Sequence, residues 1–148
     1  MTDLDPELAA EVAELLRHHV DCWNRDDLDA MFARFTPDAH WVNIVGMHWQ
    51  GRHAVERAHR ALFDLMFKGV DQRLEAIESI VPIDGGGAIV VARLSIDGFT
   101  QPDGVFKPAS EDRMTLVLVP GEAGLMIKHG ANVGIVAEAQ RHDPVSAG

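Results

Sequence analysis

Residues 72–99 read QRLEAIESIVPIDGGGAIVVARLSIDGF. Two runs rich in Val, Ile and Leu flank Asp84-Gly85-Gly86-Gly87, the pattern of a β-hairpin closed by a glycine-rich turn. A second hairpin is predicted from SEDRMTLVLV (110–119), the turn PGEAG, and LMIKHGANVGIV (125–136). Between the hairpins, TQPDGVFKP (100–108) reads as a polar loop. The closing stretch AEAQRHDPVSAG lacks pattern and is expected to be a loose tail. Four strands in a row at the C-terminal end call for an antiparallel sheet.

Upstream the period changes from two to about 3.6. Asp5-Pro6-Glu7 suits a helix start, with a capping carboxylate and a proline at the first helical position. Leu8, Val12, Leu15, Leu16, His19 and Trp23 then fall on one face. A short second helix is predicted over DLDAMFARF (27–35), ended by Thr36-Pro37-Asp38, because Pro37 disfavours helical geometry at Thr36. AHWVNIV (39–45) reads as a strand, and Gly46 and Gly51 bracket a tight connection through MHWQ. A third helix is expected from about Arg52 to Lys68, with Val55, His59, Leu62, Phe63 and Met66 as its apolar stripe and Gly69 as its stop. Helices first and an antiparallel sheet last is the α+β pattern. The expected architecture is a curved, mostly antiparallel sheet packed on one side by three N-terminal helices. It forms a cone with an open end, a place for a small molecule. One domain is expected over residues 1–137, followed by a tail over 138–148.

Composition narrows the partners. With 148 residues the chain has one sizeable core, and 47% hydrophobic content makes it globular. A formal charge of −10 argues against nucleic acid or an anionic membrane as partner, since both need positive charge to gain binding energy. The single cysteine, Cys22, excludes an intramolecular disulfide and makes cytoplasm the expected compartment. MTDLDPELAAEVAELL lacks the basic start of a signal peptide, and no apolar run approaches the roughly 20 residues of a membrane helix.

The chain resembles the nuclear-transport-factor-2-like (cystatin-like) superfamily, and within it the SnoaL-like branch. The resemblance rests on WNRDDLDAMFARFTPDAHWVN (23–43), GRHAVERAHRALF (51–63), SEDRMTLVLV and HGANV (129–133), and spans roughly residues 7–136. It is similar in particular to the SgcJ/EcaC-type proteins. The resemblance implies a cone-shaped domain, a homodimer formed through the outer sheet face, and a pocket between sheet and helices. It also implies positions. The general base of the ketosteroid isomerases corresponds to Asn43, and an amide cannot accept a proton at neutral pH, so isomerase-type proton abstraction by this residue is unavailable. Their oxyanion tyrosine corresponds approximately to His19, and their protonated aspartic acid to Asp112. A His-Asn-Thr triplet in the last strand of SgcJ/EcaC-type proteins corresponds to Ala131-Asn132-Val133, where only Asn132 matches.

The candidate site that emerges has His59 and Asp112 as an acid/base pair. His19, Trp41, Asn43, Trp49, Phe63 and Asn132 are the expected ligand-binding residues. If His59 met Asp112, the carboxylate would orient the imidazole and raise its pKa. The alternative is that His59 serves a buried polar group and Asp112 pairs with an arginine such as Arg93. No cofactor is expected, since DGGG is followed by neither a helix nor a Lys-Ser/Thr. No metal is expected either. His40, His48 and His53 lie where side chains splay, and His53 and His59 lack the i, i+4 spacing of a zinc helix. Zinc or iron would need residues brought together only by folding. The leading expectation is a homodimeric domain binding a small apolar or cyclic molecule. The rivals are a cofactor-independent cyclase, isomerase or dehydratase, and a protein–protein assembly module.

Overall fold

The computed structural model describes residues 4–145. Asp5 caps helix α1 (Pro6–Asn24) by accepting the Glu7 amide at 3.0 Å, and Asp27 caps the one-turn helix α2 (Leu28–Phe32) through the Ala30 amide at 3.2 Å. Helix α3 (Arg52–Leu62) ends earlier than its apolar stripe suggests: residues Phe63–Phe67 continue it as a wider π turn. The α1 stripe is buried at Val12, Leu15, Leu16, Val20 and Trp23. The C-terminal end of α1 is tied to the sheet side of the molecule. The Trp23 indole donates to the Val70 carbonyl at 2.8 Å, and the Asn24 amide pairs with the Gln72 backbone in both directions.

The strands are β1 (Phe35–Val42), β2 (His48–Gln50), β3 (Gln72–Ile83), β4 (Gly87–Ile96), β5 (Phe99–Thr100), β6 (Phe106–Lys107), β7 (Ser110–Gly121) and β8 (Gly124–Gly134). Six of them form one sheet in the order β2-β1-β8-β7-β4-β3, antiparallel except where β1 lies parallel to β8. Both predicted hairpins are present as β3–β4 and β7–β8. Register shifts in β1–β8, β3–β4 and β7–β8 bend the strands, and the sheet curves over the helices. Alternation sends Ala88, Val90, Ala92 and Leu94 of β4, and Met114, Leu116 and Leu118 of β7, into the core.

Several local expectations are corrected. Thr36-Pro37-Asp38 does not end a helix; it lies inside β1, where the shift between Phe35 and His40 takes the proline without a lost ladder bond. MHWQ is not a mere connection, because His48–Gln50 pairs with β1 as the sheet's edge. Strand β1 stops at Val42, so Asn43-Ile44-Val45 is the turn of a β1–β2 hairpin. The loop over 100–108 carries the small β5–β6 pair, and the tail contains a short helix α4 (Ala137–Gln140).

One close approach holds β1 against β8. Trp41 and Gly130 are register partners, and a Cβ built on Gly130 would overlap the Trp41 ring. Gly130→Ala therefore forces the indole or the strand to move, an overpacking cost of about 1–3 kcal/mol. The expected outcome in urea denaturation is a lower midpoint with an unchanged slope.

Candidate functional site

Trp41 is the centre of the interior polar cluster, and it is only 2% exposed. Its indole nitrogen donates to Asn132 Oδ1 at 2.8 Å, and Asn132 Nδ2 donates to Asp112 Oδ2 at 2.9 Å. The three residues come from adjacent strands β1, β8 and β7, so the hydrogen-bond chain runs across the sheet. Two histidines from the helices meet the same indole. His19 of α1 stacks on it with ring centroids 5.9 Å apart and planes 14° apart. His59 of α3 meets it edge-on at 5.7 Å. His59 also contacts Trp49 at 5.7 Å and Phe32 at 5.3 Å.

Each polar group has a definite electrostatic state. Burial pushes the His19 pKa down to about 3, with the neighbouring His59 and His18 acting in the same direction. His59 is also lowered by burial, against a smaller opposing effect of its bond to the Val55 carbonyl. That bond, 2.8 Å from Nδ1, fixes the tautomer: a carbonyl only accepts, so Nδ1 carries the hydrogen and the neutral ring presents a bare Nε2. Asp112 is raised by burial, partly offset by the Asn132 amide. The arginines near it are engaged elsewhere. Arg93 pairs with Glu111 at 2.7 Å and Glu78 at 3.5 Å, and Arg113 pairs with Glu78 at 2.6 Å.

His19 makes no side-chain hydrogen bond, yet among the described residues no side-chain nitrogen or oxygen is both sealed from solvent and unpaired. Two surface grooves, of about 370 Å³ beside α1 and β3 and about 240 Å³ over β4, β7 and β8, include none of the residues around Trp41.

The structure sorts the expected site residues. Trp41, Trp49, His19 and His59 come together, and Asn132 links Trp41 to Asp112. His59 and Asp112 do not hydrogen-bond: the first is held by Val55 and the second by Asn132, in place of the expected dyad and of the expected arginine partner. Asn43 lies just past the end of β1. Its Oδ1 accepts the Val45 and Met47 amides at 3.2 and 2.8 Å, so it caps the β1–β2 turn. Phe63 is in the hydrophobic core, edge-on to Trp23 at 4.6 Å. His129 pairs in register with His40 and Val117, on the sheet face opposite Asn132 and shared with Ala131. Sequence reading missed the Trp41–Asn132–Asp112 chain. Its signal was Gly130, a residue small enough to let an indole cross β8 beside Asn132.

The SnoaL-like domain model matches residues 16–119. An uncharacterised protein with a cystatin-like fold from Caulobacter vibrioides is 34% identical, with 96% of this chain and 99% of that one covered and a TM-score of 0.89. At fold level the chain is also similar to a ketosteroid isomerase-like protein from Erwinia carotovora atroseptica, 17% identical over 90% of this chain and 99% of that one, with a TM-score of 0.72. An NTF2-like superfamily protein from Salmonella enterica is 15% identical over 88% and 92% of the two chains, with a TM-score of 0.74. No curated protein matches. Among the described residues no helix is long and apolar enough to cross a membrane.

The two depressed histidines set an acid limit on the fold. The folded state binds their protons more weakly than the unfolded state, whose histidines titrate near 6.5. Stability is therefore full above pH 6.5 and falls as the pH drops from there toward about 3. His19→Gln should flatten that fall in urea titrations between pH 6.5 and 4; a slope equal to the parent's would show that His19 does not carry it.

Proposed function

The chain belongs to the SnoaL-like domain family, and on that footing we propose that it binds a small, mostly apolar, cyclic molecule through the Trp41 cluster. The observation that carries this reading is Asp112. A carboxyl kept half-buried beside an amide, with no cation, costs stability that an inert core position would not spend. Burial raises its pKa, and a carboxyl that holds its proton there would donate a hydrogen bond to a ligand carbonyl or hydroxyl. Asn132, held by Trp41, aims Asp112, while the half-buried Trp49 offers aromatic surface to a ring. The domain is read as a homodimer through the outer sheet face, which size-exclusion chromatography with light scattering checks.

A second reading is favoured by the bare Nε2 of His59. A neutral imidazole whose pKa is lowered stays a base at and below neutral pH, and Asp112 supplies an acid from the sheet side. The two would act on one ligand from separate positions, as a cofactor-independent isomerase, cyclase or dehydratase, with Asn43 outside the chemistry.

Asp112→Asn separates function from folding. The folded carboxyl binds its proton more tightly than an unfolded one near 3.8, so Asp112 loses stabilising effect as pH rises past 3.8. The amide should raise the urea midpoint at pH 7. The same variant should weaken binding at least about tenfold in tryptophan-fluorescence titrations with alicyclic and aromatic ketones. A gain in stability with unchanged ketone affinity would remove Asp112 from the site.

A further inference from the structure

Strand β2 is three residues long, lies at the edge of the sheet and pairs only with β1. Alternation splits its side chains between the two faces. Trp49, opposite Trp41, points inward to His59, while His48 and Gln50, opposite Val42 and His40, point outward. On that outer face His40 Nδ1 and His48 Nε2 lie 3.1 Å apart and share a hydrogen bond across the β1–β2 pair. We propose that the His40–His48 bond is an acid-sensitive latch: it holds β2, and with it Trp49, in place while at least one of the two rings is neutral, and releases the strand when both are protonated. The consequence for a ligand rests on the binding reading above; the latch itself does not.

A bond between two imidazoles needs one ring nitrogen that carries hydrogen and one that is bare. Two neutral rings meet that need. So does one imidazolium facing one neutral ring, and there the charge strengthens the bond. A second proton leaves both facing nitrogens with hydrogen, so no acceptor remains and two like charges face each other. Histidine changes charge between about pH 5 and 8, so the bond is complete at neutral pH and is lost as the pH falls. Nothing around the pair offsets the second charge. Asp38, two residues before His40 on β1, is taken by Lys128 of β8 at 2.7 Å, and Gln50 of β2 is uncharged. Strand β8 adds His129, the register partner of His40, with ring centroids 6.5 Å apart. Burial first, and then His40 and His48, lower the His129 pKa, so charge on those two rings opposes charge on the third. Helix α3 meets β2 on the inner face, where His59 contacts Trp49. Little else fastens the strand: Asn43 caps the turn before it, and β2 has no second neighbour in the sheet.

Amide hydrogen exchange of the ligand-free full chain at about pH 7.5 and about pH 5.5, corrected for the intrinsic pH dependence of exchange, tests the latch. Protection over His48–Gln50 should fall at least about tenfold in the parent. His48→Gln and His40→Gln each replace one ring by an amide that does not titrate, and their protection should agree within about threefold at the two pH values. Parent and variants share His19 and His59, so titration of the interior histidines cancels in the comparison. Protection that is independent of pH in the folded parent overturns the inference whatever the variants do. So does an acid-induced loss that persists in both glutamine variants, since it then comes from other groups. No ligand enters the measurement, so a failure of ketone binding strikes the binding reading and leaves this result standing.

Discussion

Trp41 reaches Asn132 only because Gly130 has no side chain. Strand β1 lies parallel to β8, and the indole passes over the backbone of its register partner to place its N–H on the Asn132 carbonyl oxygen. Everything around the interior cluster follows from that crossing. The indole face is the surface on which His19 stacks, its edge meets His59, and the Asn132 amide it holds is the one that faces Asp112. A parallel pair between the first and last strands of the sheet also closes the curved sheet onto its helices. The same contact therefore shapes both the fold and the site.

The two faces of the sheet handle charge differently. On the outside, Arg93, Arg113, Glu78 and Glu111 form a solvated network, each pair of which is worth little by itself. On the inside, an acid and two histidines are held with amide, carbonyl and aromatic neighbours and no opposite charge. Burial drives all three toward their neutral forms: the histidines downward and the acid upward in pKa. An interior of neutral donors and acceptors lined by tryptophan suits an uncharged ligand with one or two polar groups. Retaining such groups at a cost to stability is the usual bargain of a functional site.

Membership in the SnoaL-like family fixes the scaffold and leaves the chemistry to particular side chains. Asn43 is taken up by the β1–β2 turn. The polar apparatus that remains is the Asp112–Asn132–Trp41 chain and the two histidines. Its acidic member lies on the sheet and its basic member on a helix, so a ligand between them would be addressed from two sides.

Sequence alone determined the α+β class, both long hairpins, the apolar stripe of α1 and the inward position of His19, because those depend on local periodicity and on turn chemistry at Gly85–Gly87 and Gly121–Gly124. It also placed Trp41, Trp49, His59, Asp112 and Asn132 among the candidates. Only the tertiary structure decided which of them meet. The β1–β8 contact joins residues some ninety positions apart, and its register is set by bulges and a glycine that no local pattern announces. The same long-range pairing set Asp112 beside Asn132 and brought His129 next to His40, while the local β1–β2 hairpin took Asn43 into its turn. Local propensity acts over a few residues, whereas strand pairing acts across the whole chain, so the elements were legible before the site was.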